Sequence, residues 1–139
     1  MPTPINHIGP APMKAHPTDA GYDLVSTVTQ ILGPDQRSLI PTGLHIGLPP
    51  NTVGYVCPRS GLAVKHRVTV LNAPGVIDPG YTGEIFVNLI NHGAYPYMIH
   101  RGERIAQLII HQTVEVDWQP VTELDETQRS HNGHGSTGA

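Results

Sequence analysis

The amino-acid sequence predicts an all-β domain, a barrel or sandwich of short strands. Three observations carry this. Several segments alternate apolar and polar residues with period two, as a strand with one buried face does. Fifteen glycines and 14 prolines make up about a fifth of the 139 residues, against about 12% in ordinary domains, which favours tight turns over long helices. Only Gly61 to His66 suits a helix, and only for a turn or two.

Taken in order, Tyr22 to Val28 reads as a weak strand. Leu44, Ile46 and Leu48 share one face of a stronger one. Pro49-Pro50-Asn51 is a turn, and Val53, Tyr55 and Cys57 line one face of the strand after it. Val68 to Leu71 is again weak. Ile85, Val87 and Leu89 then oppose Phe86, Asn88 and Ile90 across a strand. Residues 104–112 form another, followed by Val114 to Trp118. From about Gln119 the chain turns polar, loses apolar periodicity and cannot build a core. The expected organisation is one β domain over 1–118 and a flexible, Gly-rich C-terminal tail over 119–139.

Composition narrows the function. The length suits one domain with one core. Charged residues are 14%, against about 25% in typical domains, so part of the surface is expected to be covered by other subunits. A net charge of −3 with scattered Lys and Arg offers no basic field for nucleic acid. No apolar run approaches a membrane span, and Met1 to Lys14 has no signal-peptide core. Cys57 is the lone cysteine, which excludes an intrachain disulfide or a cysteine metal cluster and suits a reducing cytoplasm.

The chemistry concentrates in Gly75-Val76-Ile77-Asp78-Pro79-Gly80-Tyr81-Thr82-Gly83-Glu84. A turn rich in Gly and Pro can hold a carboxylate at a pocket edge. Behind Val76 and Ile77, Asp78 is placed for partial desolvation, which would help it take a proton from water; capping the turn is the alternative. Pro58-Arg59-Ser60-Gly61 opens the helical segment, where backbone N–H groups bind anions, unless Ser60 is an ordinary helix cap. Asp23, within Ala20-Gly21-Tyr22-Asp23-Leu24, suits Mg²⁺ or a buried structural role. Gln107, facing away from Ala106 and Leu108, either donates to a phosphate or faces solvent. In the tail, Arg129, Ser136 and Thr137 suit phosphate, with a disordered terminus as the alternative. His131 and His134 lack the further ligands of a zinc site.

Together these segments resemble the trimeric deoxyuridine triphosphate nucleotidohydrolases, the dUTPases. Five motifs stand in family order: residues 20–24, 58–62, 75–84, 101–107 and 129–138. The resemblance implies a jelly-roll-type β-barrel, a homotrimer with sites at subunit interfaces, and hydrolysis of dUTP to dUMP and pyrophosphate with Mg²⁺. It gives Asp78 the attacking water, Tyr81 the deoxyribose, and Asn72 the uracil edge together with backbone at Val76, Ile77, Asp78 and Phe86. Arg59, Ser60, Gly61 and Gln107 would hold phosphates, and Asp23 would touch the Mg²⁺ through water. The tail would close with Arg129, Gly135, Ser136 and Thr137 at the phosphates and His134 stacked on uracil. His134 stands where the family most often has Phe, and Ser130 and Asn132 replace two usual glycines. The competing readings are a dCTP deaminase of the same fold and a regulatory binding protein on this scaffold.

Overall fold

The computed structural model describes every residue except Ser136 and Ala139. It is built from antiparallel strands and one short helix. In chain order these are β1 (Asn6–Ile8), β2 (Tyr22–Val25), β3 (Gln30–Leu32), β4 (Arg37–Gly47), β5 (Thr52–Cys57), α1 (Ser60–His66), β6 (Val68–Val70), β7 (Gly75–Ile77), β8 (Glu84–Asn91), β9 (Tyr97–Ile99) and β10 (Arg104–Gln112). One sheet runs β1-β4-β8-β6, a second β2-β10-β5-β7, and β3 pairs with β9. The architecture is all-β as the sequence patterns predict, and of the jelly-roll type that the resemblance implies.

The core lies between the two large sheets. Alternation places Leu44 and Ile46 of β4 inward with Ile85, Val87 and Leu89 of β8. Leu24, Val56, Ala106 and Leu108 face them from the second sheet. Burial of these aliphatic side chains, at about 1.5–3 kcal/mol each, is the main force holding the sheets together. Asn91 is fully buried in this apolar setting and satisfied throughout. Its Nδ2 donates to the carbonyls of Leu32 (2.9 Å) and Tyr95 (2.8 Å), and its Oδ1 accepts from the Gly93 amide. It thereby ties β8 to β3 and to the turn before β9.

Several expectations are corrected. On β5 the inward residues are Gly54 and Val56, while Tyr55 and Cys57 are only half-buried. Cys57 is therefore at the margin of the core. Val114 to Trp118 forms no strand; Val114, Val116 and Trp118 are exposed, because no neighbouring strand offers them hydrogen bonds or cover. Tyr22 to Val28 pairs only as far as Val25. Residues 75–77, read as part of a turn, form the short strand β7 against β5. The first half of β4 escapes period-two reading because Pro41 interrupts it, at a register shift between Pro41 and His45, where proline is tolerated.

Candidate active site

Strand register explains why distant motifs meet. On β10, Gln107 lies opposite Asp23 of β2 on one side and Cys57 of β5 on the other. The chain leaving Cys57 runs straight into Arg59 and α1. Three motifs separated in sequence thus converge on one sheet edge. They line a cleft of about 310 Å³ formed by Asp19, Gly21, Asp23, Arg59, Ser60, Gly61 and Gln107 with Ala15 and Ala20.

The groups in this cleft hold one another. Asp23 stands between two arginines, with Oδ1 3.8 Å from Arg59 Nε and Oδ2 3.8 Å from Arg104 Nη1. Arg59 Nη1 donates to the Arg104 carbonyl at 2.9 Å. Gln107 Nε2 donates to the Pro58 carbonyl at 3.0 Å, which leaves its second N–H for a ligand. Arg59 caps α1 with its backbone only; the helix has no side-chain cap. Ser60 is therefore the first helical residue and not the cap, and first-turn amides have no intrahelical acceptor.

Arg104 belongs to this cluster but is missed by sequence reasoning. A charged residue at a strand start reads as a solvated end. The signal that marks it is its spacing, three residues before Gln107 on β10, with a bulge between Arg104 and Ala106.

A second cleft, about 240 Å³, lies between β7 and β8. Asn72, Gly75, Val76, Ile77, Tyr81 and Phe86 line it, with Leu39, Glu84 and Asn88 at its edge. Val76 and Phe86 are exposed at its rim, whereas Ile77 is buried beneath it. The loop below is rigid. The Tyr81 amide donates to the Asp78 carbonyl at 3.0 Å, Tyr81 Oη donates to the Glu84 carbonyl at 2.6 Å, and His45 Nδ1 is 3.0 Å from the Thr82 carbonyl.

The two clefts share no lining residue. Asp78 directly follows Ile77 but is exposed. The partial desolvation expected from Val76 and Ile77 does not arise within one chain, because Ile77 turns into the core while the carboxylate points out of it. The tail is also apart from both clefts. Its hydrogen bonds are local: Arg129 Nε donates to the Asn132 carbonyl at 2.7 Å, and the Gly138 amide to the Gly135 carbonyl at 3.1 Å. His134 and Thr137 are exposed, and Ser136 lies outside the described residues.

Among the described residues, no three His, Cys, Asp or Glu side chains converge on a metal cage. Asp23 offers one carboxylate beside the anion-suited cleft. A single hard oxygen ligand fits Mg²⁺ that arrives on a phosphate substrate and keeps most of its waters, since dedicated protein cages for this ion are uncommon.

Fold and clefts together define a class: an antiparallel β protein with cationic and amide donors in one cleft and a rigid, partly apolar slot in another. The dUTPase family model matches residues 8–138. A deoxyuridine 5'-triphosphate nucleotidohydrolase of Nocardia farcinica is 50% identical over 130 residues, 93% of this chain and 79% of that protein. One from Clostridium kluyveri is 48% identical over 134 residues, 96% of this chain and 94% of that one. A mutant dUTPase of Staphylococcus bacteriophage 80alpha, solved with dUpNHpp, superposes with a TM-score of 0.92 at 26% identity, covering 99% of this chain and 100% of that one. A mutant dUTPase of S. aureus phage phi11, described with a structural Mg(II) ion, gives 0.80 at 26% identity over 87% and 98% of the two chains. The chain belongs to the dUTPase family.

Proposed function

We propose that this chain hydrolyses dUTP to dUMP and pyrophosphate, by attack of water on the α-phosphorus, in sites completed between subunits of a homotrimer. The observation that carries this reading is the pair of complementary clefts with no residue in common, one suited to phosphates and one to a flat base. The phosphate cleft of one subunit faces the base cleft of its neighbour. Exposed Leu39, Val76 and Phe86 around the base cleft support burial against another copy. The exposed apolar residues of 114–118 support it further.

In the base cleft, Asn72 and the backbone of β7 and Phe86 read the uracil edge. Rigid hydrogen-bonding groups reject cytosine, whose amino group would leave them unpaired. Tyr81 packs on the deoxyribose where a 2′-hydroxyl would sit. In the other cleft, Arg59 turns from Asp23 and the Arg104 carbonyl to the phosphates, joined by Ser60, Gly61 and Gln107. The planar guanidinium of Arg59 matches a two-point phosphate contact. Asp78 accepts a hydrogen bond from the attacking water and takes its proton as the bond to phosphorus forms. The electron pair of the broken P–O bond leaves with pyrophosphate. Positioning and charge neutralisation supply the rate here, so no Ser or Cys nucleophile is needed.

Mg²⁺ bound to the triphosphate would neutralise its charge, and Asp23 would hold one of the ion's waters. The tail closes over the bound nucleotide, with His134 on the uracil face and Arg129, Gly135, Ser136 and Thr137 at the phosphates. Residues 1–118 act as the folded domain and 119–139 as this closing segment. No helix among the described residues is long and apolar enough to cross a membrane. We place the enzyme in the cytoplasm, a compartment in which the free thiol of Cys57 stays reduced.

Pyrophosphate release from dUTP, dCTP, dTTP and UTP, with and without Mg²⁺, tests the reading. Turnover of dUTP alone, dependent on the metal, is expected. Release of ammonia from dCTP would instead support a deaminase.

A further inference from the structure

We infer that Gly83 is a positioning residue that sets the preference for deoxyribose over ribose by seating the ring of Tyr81. This rests on the reading of Tyr81 as the residue that meets the sugar. The tip of the Tyr81 ring lies directly on Gly83. A Cβ built there would stand 2.7 Å from Tyr81 Oη, 2.8 Å from Cζ and 3.1 Å from Cε1. Two of these are closer than nonbonded carbon allows, since favourable contacts begin near about 3.5 Å.

The ring is half-exposed but is held in this seat at two points. Its hydroxyl is fastened to the Glu84 carbonyl at 2.6 Å, and its backbone is fastened to Asp78. The nearly equal distances to Oη and Cζ put the Cβ against the flank of the C–O bond and not beyond its end. A β-carbon at position 83 therefore pushes the ring from this seat and disturbs its bond to Glu84.

Backbone conformation does not explain this glycine. Gly83 is absent from the left-handed region occupied by Gly9, Gly43, Gly102, Gly135 and Gly138, so a positive φ is not what calls for glycine there. What it provides is space for a particular side chain. Gly80, in the same loop, also lies outside that region, and a Cβ there would meet nothing within 4 Å. The phosphate cleft repeats the device: a Cβ on Gly21 would stand 2.2 Å from Gln107 Oε1.

The test is kcat and KM for dUTP and UTP in Gly83→Ala, Tyr81→Ala, the double variant and Gly80→Ala, with melting temperature and oligomeric state as folding controls. Gly83→Ala is expected to lower the dUTP-to-UTP ratio of kcat/KM by about tenfold or more, because a sub-ångström misplacement at a reacting site is costly. In the Tyr81→Ala background the same substitution should leave the ratio unchanged, since the two act as one unit. Gly80→Ala should keep the parent ratio. An unaltered ratio in Gly83→Ala, or an equal fall with and without Tyr81, overturns the inference. If Tyr81→Ala itself keeps the parent ratio, the sugar reading of Tyr81 fails first, and that outcome is separable from the others.

Discussion

Asp78 is the residue on which the proposed chemistry turns. It carries the only carboxylate in the Gly75–Tyr81 segment and follows directly on the β7 wall of the base cleft. Asp78→Asn keeps the shape and a hydrogen-bonding oxygen but removes the base. Turnover should fall by roughly a thousandfold or more, within the range for loss of a general base, while dUTP affinity by calorimetry stays within about tenfold. His134→Ala should weaken dUTP binding by about 1–3 kcal/mol, the worth of one base–aromatic stack; titration calorimetry measures it directly.

Two other residues predict the response to alkali. Burial pushes the Cys57 thiol up. Burial also pushes the Tyr97 phenol up, helped by its 2.6 Å hydrogen bond to Glu103 and that residue's charge. Both groups are neutral in the fold and hold their protons more tightly there than in the unfolded chain. Their contribution is complete below the ordinary thiol and phenol values and is lost as pH rises through the raised ones. The urea midpoint should therefore fall between about pH 8 and pH 11, and Tyr97→Phe should reduce that fall.

At the scale of elements, β10 organises the phosphate cleft. Its mostly apolar run from Ile105 to Ile110 makes it legible in the sequence, and its register with β2 and β5 brings Gln107, Asp23 and Arg59 together. The ion pair from Arg104 to Asp23 is not legible, because it depends on that long-range register. Strands β3 and β9 escape for another reason: three residues are too few to show a period, and they exist by pairing with each other. Val114 to Trp118 errs the opposite way. Its period is strand-like, yet no partner among the described residues meets it, so apolar alternation alone does not make a strand. The tail from Gln119 onward is legible as coreless, and its role tests separately. A chain ending at Gln128 should keep its melting temperature within a few degrees, since every described residue removed is exposed, while kcat/KM for dUTP falls at least about a hundredfold through lost closure.

At the scale of the whole molecule, the low charge content, the two incomplete clefts and the exposed apolar residues around one of them have a single physical account. On the proposed reading the chain is one part of a symmetric assembly, in which each site would take its phosphate contacts from one subunit and its base slot and Asp78 from another. The fold class and several cleft residues, Asp23, Arg59, Gln107, Asn72 and Val76 among them, are readable from period and motif. The division between clefts is not, because it emerges only when β7 and β8 are separated from the β2-β10 edge in space. Subunit mixing tests this division most directly. Arg59→Ala disables the phosphate cleft and Asp78→Asn disables the other half, so each variant alone is inactive. Denatured together and refolded as mixed trimers, they should regain roughly a quarter of the parent dUTPase activity, the share of interfaces at which two intact halves meet in a symmetric ring. A mixture no more active than the two variants apart would contradict a site shared between subunits.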